Sequence, residues 1–241
     1  MRVFKLSFLV VVLFAWAGVS QLNPSSSKSL IETQRPQSPV VISHKDRPSL
    51  DSASASVTIR RYLLDSGQSK FVARAFSGGL LWFKGHDHLI AVREFTGEAQ
   101  ITPESISPAS LQLTAKAASM VETRDVFTEP QKQIINKELR EIVLLPEQYP
   151  HVIFKSTNVS GKAIGSNVYD LKIVGALTLH GVTRPITIPA RVTLTGNELR
   201  AQGEFSINRS DFKVKATSAL HGMIRVRDKV KFEFDIVGQQ R

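Results

Sequence analysis

The chain has 241 residues, with 31 Lys and Arg against 21 Asp and Glu, and a formal net charge of +10. This length is enough for one large domain or two small ones with a hydrophobic core. The chain has no cysteine, which excludes disulfides, thiol nucleophiles and thiolate metal sites. With 42% hydrophobic residues, 14 Gly and 11 Pro, the composition also excludes a globally disordered or fibrous protein.

Residues 1–20 have the three-part layout of a secretory signal peptide. Arg2 and Lys5 precede an almost wholly apolar run, and small residues follow just before Gly18 and Gln21. The apolar run is shorter than the ~18 residues of a membrane-spanning helix. We therefore expect cleavage near Gly18 or Gln21 and a periplasmic or secreted protein; an uncleaved N-terminal anchor is the alternative.

A second segment, residues 21–56, is rich in Ser, Pro and charged side chains and has no sustained hydrophobic period. Such a composition favours extended, solvated backbone. We interpret this segment as a disordered linker and residues 57–241 as the folded domain.

In the folded domain, apolar or alternating runs recur between Gly, Pro, Asn and Asp, a pattern typical of antiparallel all-β structure. Ten strands without a second covering layer favour closure into a barrel, although alternation alone leaves a sandwich open. The predicted strands are Thr58–Leu64, Lys70–Phe76, Leu80–Lys84, Ile90–Ile101, Ser110–Ala118, His151–Val159, Asp170–Leu179, Pro185–Leu194, Leu199–Ile207 and Lys229–Val237.

One segment departs from the strand pattern and predicts an inserted helix. Thr128 is placed as an N-cap, with Pro130 in the first turn and Gln131 at the third helical position. Pro146 marks the end, which gives a helix of about 14 residues. The apolar residues that repeat at helical spacing are Ile135, Leu139 and Ile142.

Four motifs, in order and at matching spacing, resemble the YceI-like family. They are a Tyr-Pro strand, a Leu-His-Gly turn region, a Phe-Ser…Arg-Ser-Asp-Phe turn and the approach to the last strand: Tyr149–Ser156, Leu177–Ile188, Phe205–Phe212 and Leu220–Val230. The resemblance extends from about Tyr62 to Val237. The stretch Phe83–His88 departs from the better-described members and is similar to a branch with a Gly-His-x-His signature.

This resemblance implies an antiparallel lipocalin-like β-barrel with an elongated internal cavity. Members of the family bind a polyisoprenoid chain or a related amphiphile, and many are exported to the bacterial periplasm. The leading hypothesis is therefore an exported protein that sequesters or carries such a lipid and needs no cofactor.

A long apolar ligand requires an interior without hydrogen-bonding demands, and phenylalanine supplies one. The same residues would also suit an ordinary barrel core, so a structural or stress-related envelope protein is an alternative. The residues expected to contact the ligand are Phe71, Phe76, Phe83, Leu113, Phe154, Ile173, Leu177, Phe205, Phe232 and Phe234.

The histidines raise a second functional hypothesis. His86 and His88 lie two residues apart and therefore share a face if the chain is extended. With His180 or His221 beside them, they would make a zinc or copper site, although the spacing identifies no third ligand. A His-based metal-binding periplasmic protein is thus the alternative function.

Neither catalysis nor nucleic-acid binding is expected. The sequence lacks a Gly-x-Ser-x-Gly elbow, a His-Glu-x-x-His motif and a phosphate-binding loop. Arg209-Ser210-Asp211 is interpreted as a turn in which Ser and Asp bond to their own backbone. Export argues against nucleic acid, whereas basic residues near the C-terminus favour peripheral contact with an anionic membrane. These residues are Lys213, Lys215, Arg225, Arg227, Lys229 and Lys231.

Overall fold

The structure is a computed structural model that describes residues 58–103, 105–219, 221 and 223–241. The signal peptide and the linker were predicted for residues that lie outside this described part, so both stay predictions. The predicted start of the folded domain at residue 57 also lies outside the described residues and stays a prediction.

The strands of the described part of the chain are β1 (Arg60–Gly78), β2 (His88–Val92), β3 (Phe95–Thr102), β4 (Ile106–Lys116), β5 (Met120–Glu122), β6 (His151–Gly165), β7 (Val168–Leu179), β8 (Val182–Thr195), β9 (Glu198–Asn208), β10 (Ser218–Ala219) and β11 (Ile224–Gln240). Eight of them close into an antiparallel barrel. They pair in the order β1–β3–β4–β6–β7–β8–β9–β11, and β11 pairs back onto β1. Closure removes the open edges that a flat sheet would expose. The predicted antiparallel, lipocalin-like barrel with one inserted helix is confirmed.

The two ends of the barrel differ. At the end that we call the plug end, β1 begins and β11 finishes, with Tyr62 opposite Gln240. Buried side chains fill this end, among them Tyr62, Ile101, Tyr169, Leu194 and Leu199. At the other end, which we call the rim, Gly78 lies opposite Arg225. Strands β2 and β5 extend the wall at the rim, since β2 pairs with residues 72–75 of β1 and β5 pairs with β2.

Several strand predictions are corrected. The predicted strand Ile90–Ile101 is divided into β2 and β3. The predicted strands Thr58–Leu64 and Lys70–Phe76 fall together in one strand, β1, which begins at Arg60 and whose pairing with β11 shifts register between Asp65 and Lys70. Asp65 accepts hydrogen bonds from the backbone of Gly67 and Gln68, which accommodates this irregularity without ending the strand.

The predicted strand Leu80–Lys84 is absent. Residues 82–84 form a 3₁₀ turn instead, and the side chains of Leu80, Trp82 and Phe83 are exposed. Gly79 adopts φ +90°, which turns the chain out of β1. The apolar run therefore lies in a connection and not in the barrel wall.

The inserted helix is present at the rim. Helix α1 (Glu129–Glu138) continues as a π-helical turn, Leu139–Leu144, and ends at Leu145 directly before Pro146. The Thr128 N–H donates to Gln131 Oε1 at 2.8 Å, in keeping with the predicted N-terminus.

One inward position of this helix differs from the prediction. In the π turn the Leu145 N–H donates to the Arg140 carbonyl, five residues back, which makes the turn wider than an α-helical one. The wider turn leaves Ile142 exposed and brings Val143 to the interior instead.

Candidate ligand-binding cavity

The barrel encloses an apolar cavity with a volume of about 560 Å³. It arises from the two-residue period of the strands, which sends alternate side chains inward; on β1 these are Phe71, Ala73 and Ala75. An eight-stranded barrel has room for packed side chains or one slim ligand, and this volume lies within the usual range for ligand pockets.

Phenylalanine rings make one continuous wall of the cavity. Phe205 stacks on Phe232 with 4.9 Å between ring centroids, and Phe71 lies 6.1 Å from Phe232. Phe234 extends the row, 6.4 Å from Phe205. None of these rings carries a polar atom, so the wall offers contact area and no hydrogen bond.

Eight of the ten residues expected to contact a ligand line the cavity, although their contact with a ligand stays a prediction. These eight are Phe71, Leu113, Phe154, Ile173, Leu177, Phe205, Phe232 and Phe234. Phe76 and Phe83 do not line it, which corrects their assignment. Phe76 is an odd number of residues from Phe71 along β1 and therefore faces the other side of the strand. Phe83 lies in the exposed turn after β1.

The part of the cavity lining that comes from the helix was not predicted from the sequence. Ile135, Leu139 and Val143 cover one side of the cavity at the rim. The helical spacing of Ile135 and Leu139 was visible in the sequence, but it does not show which strands the apolar face covers.

The polar groups of the lining concentrate at the rim. Among the described residues, only Gln100 and Ser110 lie elsewhere in the cavity wall. The polar rim residues are Ser77, His86, His88, Gln131, Glu138, Arg209, Lys215, Thr217, Ser218 and Arg225. The cavity is thus an apolar shaft whose opening carries three cationic side chains and one carboxylate.

A buried carboxylate holds one side of the rim together. The Glu122 side chain is 0% exposed, and its Oε2 lies 2.7 Å from His88 Nδ1. Its Oε1 accepts hydrogen bonds from the backbone N–H groups of Leu89, Thr123 and Arg124. Burial by itself raises the pKa of Glu122, but the hydrogen bonds from His88 and the backbone outweigh it and lower the pKa.

Strand β5, which carries Glu122, also holds helix α1 in place. The Glu122 N–H donates to Asn136 Oδ1 of α1 at 2.7 Å. Phe127, just before the helix, stacks on the His88 ring at 5.3 Å and meets the His86 ring edge-on at 5.7 Å. The helix is therefore attached to β2 and β5 by a hydrogen bond and by aromatic contacts.

The metal hypothesis finds no support in this geometry. His86 and His88 both reach the rim, but they pack against Phe127, and His88 Nδ1 already faces Glu122. Within the described ranges, no three or more His, Asp or Glu side chains come close enough to hold a metal ion.

The opposite side of the rim is formed by the 3₁₀ helix Arg209–Phe212 and the chain that follows it. Ser210 donates its N–H and its Oγ to the two carboxylate oxygens of Asp228, at 3.0 and 2.7 Å. The turn predicted here is present, but Ser210 bonds to Asp228 on β11 and not to its own backbone. Arg209 Nη1 donates to the Val214 carbonyl and closes the loop.

Together, the closed antiparallel barrel, its apolar shaft and its polar rim define a lipocalin-like barrel. Residues 45–238 match the YceI-like domain, and the chain belongs to the YceI-like family. In the described part of the chain, no helix is both long and apolar enough to cross a membrane.

Two solved structures show the same fold. BcnA of Burkholderia cenocepacia superposes with a TM-score of 0.55 at 22% identity, covering 72% of this chain and 98% of BcnA. A polyisoprenoid-binding domain from Saccharophagus degradans superposes with a TM-score of 0.53 at 16% identity, covering 75% of this chain and 98% of that domain.

Similar curated proteins belong to the UPF0312 group. The chain is 29% identical to one from Yersinia enterocolitica over 150 residues. This aligned region covers 60% of this chain and 68% of that protein. The chain is 47% identical over 51 residues to one from Vibrio parahaemolyticus, which covers 21% of this chain and 25% of that protein. The chain thus matches between a quarter and two thirds of the length of these two relatives.

Proposed function

We propose that this protein binds an isoprenoid or another long-chain amphiphile inside the barrel and sequesters or carries it outside the cytoplasm. The observation that carries the proposal is the apolar shaft of about 560 Å³ with polar groups at one end. The likeness in fold to the Saccharophagus degradans polyisoprenoid-binding domain supports an isoprenoid as the ligand.

The chemistry of the lining favours binding over catalysis. Each methylene that leaves water for the shaft contributes about 0.8 kcal/mol, so a long chain binds tightly without a polar contact. Release is then slow, which suits a carrier or a store. An amphiphile would place its tail in the shaft and its polar head beside Arg209, Lys215 and Arg225 at the rim.

Extraction of the purified protein with organic solvent, followed by mass spectrometry, tests the proposal directly. We expect one long-chain amphiphile in roughly stoichiometric amount in protein isolated from its native host. An empty cavity in that protein would reject the proposal and leave a packed envelope protein as the better description.

Export is a separate part of the proposal and has its own prediction. The basic start, short apolar run and small residues of positions 1–20 should direct cleavage. N-terminal sequencing of the protein from the periplasm or the medium should find a mature chain that begins near Gly18 or Gln21. An intact Met1 would favour a membrane anchor.

Replacement of Phe154 by alanine should distinguish a cavity wall from a plain core. A buried Phe→Ala change normally costs about 3–5 kcal/mol of unfolding free energy. Phe154 borders the cavity, so part of its ring lacks packing partners and the empty protein should lose less. The lipid-loaded protein should lose more, because the ring then also contacts the bound chain.

Phe212→Ala is the matched control, since Phe212 is buried in the same core cluster but does not line the cavity. Melting temperatures of both variants, with and without bound lipid, provide the comparison. Phe212→Ala should destabilise the two states equally. Equal losses for Phe154→Ala would show that Phe154 does not contact the ligand.

A further inference from the structure

Four large apolar side chains form an exposed cluster at the rim, which we call the apolar tip. Leu80, Trp82, Phe83 and Met223 are 78%, 54%, 64% and 40% exposed. Single exposed apolar residues are common on soluble proteins, but a contiguous group of this size usually marks an interaction site.

The apolar tip is held in place by its backbone. The Leu81 N–H donates to the Met223 carbonyl at 3.0 Å, which joins the two segments that carry the tip. Ser77 Oγ donates to the Trp82 carbonyl at 3.1 Å. At Gly79 a Cβ would lie 2.5 Å from the Met223 carbonyl oxygen, so only glycine allows this close approach. The four side chains are therefore presented together.

Basic residues border the apolar tip on the side of Trp82. Trp82 shares a groove of about 410 Å³ with Arg209, Arg225 and Arg227, in which Asp228 is the acidic residue. Lys213 and Lys215 are exposed on the adjoining loop. Lys215 and Arg225 form no ion pair with any residue that the structure describes. An apolar cluster bordered by uncompensated cations complements an anionic lipid surface, where each Lys or Arg adds to the attraction.

The position of the apolar tip connects it to the cavity. Arg209 and Arg225 line both the groove beside Trp82 and the opening of the shaft. Ser77, which bonds to the tip, also lines the cavity. A surface that covers the tip would therefore lie directly against the opening through which an amphiphile enters.

We propose that the apolar tip inserts into the headgroup region of an anionic lipid bilayer and so places the cavity opening on the membrane. Trp82 and Phe83 would lie at the boundary between headgroups and acyl chains, and the basic groove would contact lipid phosphates. The role of the apolar tip in delivering or collecting a ligand rests on the proposed carrier function. Binding of the tip to lipid vesicles does not, and it is measured independently of ligand binding.

Tryptophan fluorescence reads out the tip itself, because Trp82 and Trp16 are the two tryptophans of the chain. In the full chain with Trp16→Phe, all emission comes from Trp82. Vesicles of phosphatidylglycerol and phosphatidylcholine should shift this emission to shorter wavelength, and brominated lipids should quench it. Vesicles of phosphatidylcholine alone should have a much smaller effect.

Two pairs of variants separate the apolar and the basic contributions. The double variant Lys215→Gln with Arg225→Gln should weaken binding to anionic vesicles by about 30-fold, because each charge contributes about 1 kcal/mol. Lys162→Gln with Lys172→Gln changes the net charge equally on β6 and β7, away from the rim, and should leave binding unchanged. Phe83→Ser should abolish most of the fluorescence shift, whereas Ile164→Ser, at an exposed position near the plug end, should not.

Several outcomes would overturn the proposal. One is a Trp82 emission that does not respond to anionic vesicles. Another is Trp82 emission that is already at short wavelength without lipid. If that emission does not change with protein concentration, the chain's own residues cover the tip. If it does change with protein concentration, a second copy of the chain covers the tip. If the extracted protein has an empty cavity but Trp82 responds to anionic vesicles, the carrier function is rejected and membrane binding by the apolar tip is still supported.

Discussion

Replacement of Glu122 by alanine is expected to lower the free energy of unfolding by about 3–5 kcal/mol. The carboxylate is fully buried and accepts hydrogen bonds from three backbone N–H groups besides its contact with His88. Without it, these donors lose their partner in a place that water does not reach, and an unsatisfied buried donor costs about 1–3 kcal/mol. Chemical denaturation followed by circular dichroism measures the loss.

Glu94→Ala is the control for this change. Glu94 pairs with Lys116 at 2.6 Å, but both side chains are more than half exposed, at 59% and 63%. An exposed ion pair contributes at most about 1 kcal/mol, so the variant should be nearly as stable as the parent. A loss of similar size in the two variants would contradict the structural role of Glu122.

The same carboxylate predicts the direction of an acid effect. Its pKa is lower in the folded than in the unfolded chain, so its contribution is complete above the unfolded pKa and is lost as the pH falls through the folded pKa. The stability difference between the parent and Glu122→Ala should therefore shrink as the pH drops below about 4. A difference that stays constant down to pH 3 would show that the carboxylate does not act in its charged form.

Substitution of Ala73 by tryptophan should reduce lipid affinity by roughly 5- to 150-fold and leave the empty barrel folded. Ala73 faces the shaft and lies between Ile90 and Phe232, its paired residues on the two adjacent strands, so the indole would occupy space that the ligand needs. Overpacking costs about 1–3 kcal/mol, and each 1.4 kcal/mol is a factor of ten in affinity. In the empty protein the indole enters existing free volume, so the cost appears on binding.

Ser206→Trp serves as the matched control because Ser206 faces outward on β9, between two cavity-lining neighbours. It should retain lipid and keep the parent melting temperature within a few degrees. Titration with a fluorescent long-chain fatty acid compares the two variants. If Ala73→Trp binds as well as Ser206→Trp, the ligand does not use this part of the shaft.

Alternation along single strands was enough to predict most of the wall. In β7 the residues at Tyr169, Leu171 and Ile173 are buried, as their two-residue period requires. The inserted helix was equally visible, because its N-cap, its apolar spacing and the proline at its end are all local signals. The same two-residue period would have shown that Phe76 and Phe71 face opposite sides of β1, because they are five positions apart and side chains alternate along a strand.

Other features depend on contacts between distant segments. The sequence pattern of Leu80, Trp82 and Phe83 predicts a strand, yet no strand of the described part of the chain pairs with them. The hydrogen bond from Leu81 to Met223 holds them in an exposed tip instead. Glu122 meets His88 only because β5 pairs with β2, across 34 positions of sequence.

By itself, the sequence determined the all-β class, the inserted helix and the apolar character of the interior, because each follows from the period of neighbouring residues. Only the tertiary structure decided that the barrel closes and that most polar groups of the cavity lining lie at one rim. Closure depends on β1 pairing with β11, near the two limits of the folded domain, and the rim unites segments around residues 77–88, 122–144 and 209–226. Such pairings depend on register and packing between strands, which no local pattern encodes.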